Sequence, residues 1–134
     1  MRVPPSLLLA AGLCVACDST PTSPTSVDKG LWGGDHVAMT VGATSTHLEF
    51  DCAHGDIPGV LSVNNGDLVT NGTFVREHGG PIRVDDQTDQ HPALYSGQVS
   101  SGRMKLSIRL TDSGEVVGSF DLVQGMAGRV VKCL

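Results

Sequence analysis

The sequence predicts an all-β fold: one small antiparallel domain of about eight short strands, closed as an up-and-down barrel, with a β-sandwich as the alternative. Three observations carry this. Apolar and polar residues alternate strictly from Arg103 to Thr111, the period of a strand with one face in a core and one in water. Turn chemistry recurs in Asn64-Asn65-Gly66-Asp67, Ser100-Ser101-Gly102 and Thr111-Asp112-Ser113-Gly114-Glu115, residues that favour the backbone angles of tight turns. After the first 28 residues no stretch shows a helix-length period.

Taken in order, His36 to Val41 sets Val37, Met39 and Val41 on one side. Thr46 to Cys52 turns Leu48, Phe50 and Cys52 inward, and His47, Glu49 and Asp51 outward. Ile57 to Val63 follows, and the Asn65-Gly66 turn leads into Leu68 to Arg76. Asn71-Gly72 is a second hairpin signal, but two turns would leave about four residues between them, shorter than a usual strand. Gly72 is therefore read as a bulge or bend inside a strand. Ala93 to Val99, Arg103 to Thr111 and Val116 to Gln124 form a meander, and Arg129 to Cys133 is the last strand. Sequential hairpins favour the barrel over a Greek-key sandwich.

Ahead of this domain, Met1-Arg2 carries a positive charge and Leu7 to Val15 is an apolar run of signal-peptide length. Residues 1–16 read as a signal peptide, and 17–28, rich in Ser, Thr and Pro, as an extended tether. The folded domain is expected over 29–134. Cys14-Val15-Ala16 places small residues before Cys17. This resembles the lipobox of bacterial lipoproteins, in which cleavage precedes a cysteine that becomes diacylated. The resemblance implies lipidation of Cys17 and a membrane partner held through that lipid. The domain would then lie in the cell envelope, in the periplasm or at the cell surface. Where Cys14 stands the family usually has Leu, and an ordinary signal peptidase would cut the same bond. Once Cys14 and Cys17 are assigned, Cys52 and Cys133 remain, and in an exported chain two cysteines are expected to pair.

Nine Lys and Arg against fourteen Asp and Glu give a net charge of −5, which excludes the basic face that nucleic-acid phosphates demand. No apolar run approaches the roughly 18 residues of a membrane-spanning helix.

Gly30-Leu31-Trp32 is similar to the G-x-W of lipocalin-like (calycin-like) barrels, where a late basic residue covers the Trp. Arg129 or Lys132 would serve, by a cation–π contact. The other reading of Trp32 is a core residue plugging one end. Trp32-Gly33-Gly34-Asp35-His36, Glu49-Phe50-Asp51-Cys52-Ala53-His54-Gly55, Gly80-Pro81-Ile82-Arg83, Tyr95-Ser96-Gly97 and the Cys133-Leu134 end also resemble a family of small uncharacterised bacterial exported proteins, many with lipoprotein signals. That resemblance implies a boundary near residue 29 and Gly72 in mid-strand. It carries no catalytic residues.

The chemistry-bearing candidates are few. His36, opening the first strand, and His54, in the turn Cys52-Ala53-His54-Gly55-Asp56, are expected at one end of the barrel, and with Asp51 or Asp56 they would suit a divalent ion such as Zn²⁺ or Cu²⁺. Hydrogen bonds to loop carbonyls are the alternative. The polar interval from Arg76 to Pro92, with Arg83 and His91, is the expected binding loop at a barrel mouth, together with Trp32. Ser45, His54 and Asp56 lack a nucleophile elbow. Glu49 and Asp51 lie too close on one strand to act as opposed carboxylates. No catalytic residue is assigned, and no cofactor is expected beyond the divalent ion. The expectation is a monomeric, non-catalytic binding or structural module. The alternatives are a small-ligand or metal carrier, and an inhibitor of an envelope hydrolase.

Overall fold

The computed structural model describes Arg2, Cys17, Ser19, Thr20 and residues 22–134 apart from Asp86. The expected signal peptide lies outside the described residues except for Arg2. The strands are β1 Thr25–Ser26, β2 Gly30–Gly34, β3 Val37–Val41, β4 Ser45–Phe50, β5 Ala53–Pro58, β6 Ser62–Val63, β7 Asp67–Arg76, β8 Asp89–Ser100, β9 Arg103–Leu110 and β10 Val116–Gln124. Eight of them close an antiparallel barrel in the order β10-β2-β3-β4-β5-β7-β8-β9, and β1 pairs with β6 as a separate two-stranded sheet. Closure excludes the sandwich and removes the exposed edges that an open sheet would present.

The interior is packed with side chains. Along one level of the wall the register joins Trp32 to Met39, Met39 to Leu48, Leu48 to Gly55 and Gly55 to Phe74. Each of the four side chains in that row is at most 3% exposed. Opposite them Met104, Leu106, Ile108 and Leu110, the apolar set of the alternating run, are all buried. Tyr95 on β8 fills the space above two glycines. Its hydroxyl donates to the Thr73 carbonyl at 2.6 Å. A Cβ built at Gly55 would lie 2.1 Å from the Tyr95 hydroxyl, and one at Gly72 would lie 3.0 Å from its ring. Phe50, Phe74 and Phe120 close the stack, with ring centroids 5.6 Å apart for Phe50 and Phe74, and 5.1 Å for Phe50 and Phe120.

Several elements depart from the sequence reading. The first barrel strand is Gly30–Gly34, not the segment opening at His36, which becomes the second. Because β2 already lies beside β10, the segment from Arg129 to Cys133 has no edge to join. It makes one parallel bridge, Asp35 to Arg129, and otherwise runs as a strap. Ile57 to Val63 is not one strand: Ile57 and Pro58 end β5, which begins at Ala53 straight after the two-residue turn Asp51-Cys52, and Ser62 and Val63 form β6. Cys52 therefore sits in that turn with φ 52° and does not face the core. His54 lies on β5 opposite Glu49, not in a turn. Gly72 is in mid-strand as expected, but its register with β8 is unbroken, so it provides close approach, not a bulge. The Asn65-Gly66 turn is as read, with both residues at positive φ and Asn64 and Asp67 exchanging backbone hydrogen bonds, the geometry of a tight type I′ hairpin. The fold also begins before residue 29. The Val27 amide donates to the Leu61 carbonyl at 2.8 Å, and its side chain joins the core.

The antiparallel order gives the barrel two distinct ends. The upper end carries the turns at 35–36 and 51–52, the loop 77–88 and the turn 111–115. The lower end carries the turns at 42–44 and 101–102, the 59–66 segment, and the incoming chain through β1.

Candidate functional site

Apart from Trp32, the residues of the barrel that the sequence marked for chemistry gather at or near the upper end, and the C-terminal strap organises much of it. After β10 the chain returns upward along the outer wall, where Gly128 presses so close that a Cβ would lie 2.1 Å from the Val37 carbonyl. The Arg129 amide donates to the Gly34 carbonyl at 2.9 Å, and the His36 amide to the Arg129 carbonyl at 2.7 Å. The Arg129 guanidinium pairs with Asp35. Further on, the Val131 amide donates to Asp51 Oδ1 at 2.7 Å. The strap ends at the Cys52–Cys133 disulfide, with Cα atoms 4.9 Å apart.

His36 and Asp51 do meet, Nδ1 to Oδ2 at 2.5 Å. The Asp51 carboxyl is held below its ordinary range, chiefly by the Val131 amide and then by His36. His54 goes elsewhere: its Nδ1 lies 2.8 Å from Glu77 Oε1. The proposed trio of His36, His54 and Asp51 is therefore not assembled around one point. Among the described residues no group of three or more His, Cys, Asp or Glu side chains is arranged to hold a metal ion. The physical reason is local. His54 follows the tight turn by two residues and points off the outer face of β5, while His36 is held by the strap.

On that outer face lies a network that the sequence reading missed. His47 sits between Asp56 and Glu49, each at 2.7 Å. Lys132 Nζ donates to the Ala53 carbonyl at 2.9 Å, the Phe50 carbonyl at 3.2 Å and both Glu77 oxygens at 3.1 Å. It also pairs with Glu49 Oε2. The rings of His47 and His54 stand 6.1 Å apart. The His47 imidazole is shifted upward, first by Asp56 and then by Glu49. Partial burial pushes Glu49 and Glu77 up, but hydrogen bonds from Lys132, His47 and His54 outweigh it and both carboxyls sit low. Outward alternation on β4 flagged His47 and Glu49. Their partners come from β5, the loop after β7 and the strap, which only the register reveals.

His91 forms the second cluster. It lies on β8, not in the loop, with Nδ1 2.7 Å from Asp112 and Nε2 2.7 Å from Asp89. It thus ties the turn after β9 to the start of β8. Asp112 and then Asp89 raise its pKa above the ordinary 6.5. Beside it Arg76 Nη2 donates to Glu115 Oε1 at 2.8 Å. Residues 76–82 and 87–89, among them His78, Gly80, Ile82 and Asp89, line a surface cleft of about 490 Å³. Arg83 lies on the exposed part of the loop 77–88.

Trp32 is not a surface binding residue. It is 2% exposed, and its indole donates to the Asp28 carbonyl at 3.0 Å near the lower end. Neither Arg129 nor Lys132 covers it, because their charges are taken up by Asp35, Glu49 and Glu77 at the upper end.

In comparison with known proteins, no family model, curated protein or solved structure matches the chain.

Proposed function

We propose that this chain is a lipid-anchored protein of the cell envelope, a non-catalytic module that binds a protein partner with the upper end of its barrel. The observation that carries the reading is the contrast between a filled interior and an elaborated rim. Tyr95, Met39, Leu48 and Met104 occupy the space where a carried ligand would sit, which weighs against a carrier barrel. The upper end combines the loop 77–88, its cleft and the histidine–carboxylate pairs. Those histidines and carboxylates are bonded to one another, an arrangement suited to holding a surface rigid. Export is supported by the signal-like N-terminus and by the disulfide, which persists in oxidising compartments.

The inhibitor reading is one form of this proposal and has its own support. Ile82 and Val84 on the loop are 85% and 104% exposed, the apolar contacts that a partner's cleft would accept. A photo-cross-linking residue at Ile82, expressed in the native host, tests both. A single predominant adduct is expected, and its identity separates a hydrolase from another envelope protein. Absence of any adduct, alongside efficient labelling from a site at the lower end, would overturn the assignment of the rim.

A further inference from the structure

The two ends of the barrel differ in net charge. The upper end carries Asp35, Asp51, Glu77, Asp89, Asp112 and Glu115 on its turns and strand ends, in excess of Arg76, Arg83, Arg129 and Lys132, of which Arg76, Arg129 and Lys132 pair with Glu115, Asp35 and Glu77. The lower end has Asp28 and Asp67, which bond Gln124 and Gln98, and the exposed cations Lys29 and Arg103. It also shows apolar side chains to solvent: Leu31 is 54% exposed, Val60 62% and Met126 50%. Leu31 and Met126 are neighbours, since the Gly125 amide donates to the Leu31 carbonyl at 2.6 Å. Val60 is on the 59–66 segment at the same end, where the Gly59 amide donates to the Thr44 carbonyl.

The chain enters at this end as well. β1 is pinned there against β6, Thr25 to Val63 and Ser26 to Ser62. Only seven residues, Asp18 to Pro24, separate it from Cys17, a fully extended reach of about 25 Å. An anchor on Cys17 thus keeps the lower end close to the bilayer at all times. We infer that the lower end of the barrel seats on the membrane surface, with Leu31, Met126 and Val60 in the headgroup boundary. Lys29 and Arg103 face anionic lipid, and the acidic upper end is turned away from it.

This inference rests on the lipid-anchor reading, and one experiment separates the two. Trp32 is the single tryptophan and is buried, so Met126→Trp places the reporter on the seated surface and Trp32 supplies an unquenched background. The full lipoprotein, purified from its host, is reconstituted in phosphatidylglycerol/phosphatidylcholine vesicles whose acyl chains carry bromine, a contact-range quencher. The emission added by Met126→Trp is expected to fall strongly against unbrominated vesicles, and the loss is expected to shrink when Leu31→Asn is added. It should vanish when Leu31→Asp and Val60→Asp are added, with every variant still floating with the vesicles. Ile82→Asp at the opposite end should leave quenching intact. Protein that floats without quenching of the added emission, or a Leu31→Asp/Val60→Asp variant quenched as fully as its Met126→Trp parent, overturns the seating and leaves the anchor standing. Protein that fails to float overturns the anchor and the seating together.

Discussion

At the residue scale the decisive interaction is the fit of Tyr95 over bare backbone. Burial pushes its phenol pKa upward, and the hydroxyl has a partner in the Thr73 carbonyl, so a large polar-tipped ring is accommodated inside an apolar barrel. Gly55→Ala would drive a methyl into that hydroxyl and into the Thr73 carbonyl, 2.6 Å away. Chemical denaturation should show a loss of about 3 kcal/mol, the upper end of usual overpacking costs. A loss within measurement error would mean that the ring has room to move. His91 gives the second residue-scale prediction. Its folded pKa is raised above the unfolded value of 6.5, so its contribution to stability is complete below that value. The contribution is lost as pH rises through the folded value. In His91→Gln that part of the pH dependence should disappear, leaving the same-signed contribution of His47. The NMR titration midpoint of His91 should fall in Asp112→Asn. An unmoved midpoint would contradict the bridge. Neither feature was legible from sequence. Gly55 reads as a turn residue until Tyr95 is placed over it, and the Asp112 partner of His91 lies 21 positions away.

At the scale of elements, the C-terminal strap takes the place expected of a final strand. It crosses the turns at 35–36 and 51–52 and is locked by a disulfide spanning 81 residues. Replacing both Cys52 and Cys133 by Ser should cost about 4 kcal/mol in the chain-entropy account of a loop of this size. Hydrogen exchange should then speed up first at the His36 and Cys52 amides, which donate to strap carbonyls. Uniform acceleration across the barrel would instead mean that the strap is no separate unit. The strands with strict alternation, β9 above all, were plain in the sequence because one face of each is dry and the other wet. β2 was hidden because three of its five residues are glycine, two of them admitting close backbone: Gly33 beside Met126 and Gly128, and Gly34 beside the Asp121 carbonyl. β5 was displaced because Gly55 leaves a gap in its apolar face. Val130 and Val131 imitated a strand, although Val131 is 68% exposed.

At the scale of the whole molecule, a closed and filled barrel divides its labour between two ends. The lower end receives the tether through β1. The upper end holds the strap, the disulfide and the histidine–carboxylate pairs. The expectation that His36 and His54 share one end agrees with the topology, but a common metal site does not follow, since each imidazole has its own carboxylate. The reading as an anchored envelope module depends on what becomes of Cys17. The measurement that tests it most directly is the intact mass of the protein taken from its own host, recorded native and then denatured. The account predicts a denatured chain that begins at an acylated Cys17 and lacks the hydrogens lost in joining Cys52 to Cys133. It also predicts a native mass with no small ligand to shed. An uncut chain or an unmodified Cys17 would contradict the anchored reading, and mass released on denaturation would return the filled barrel to the carriers.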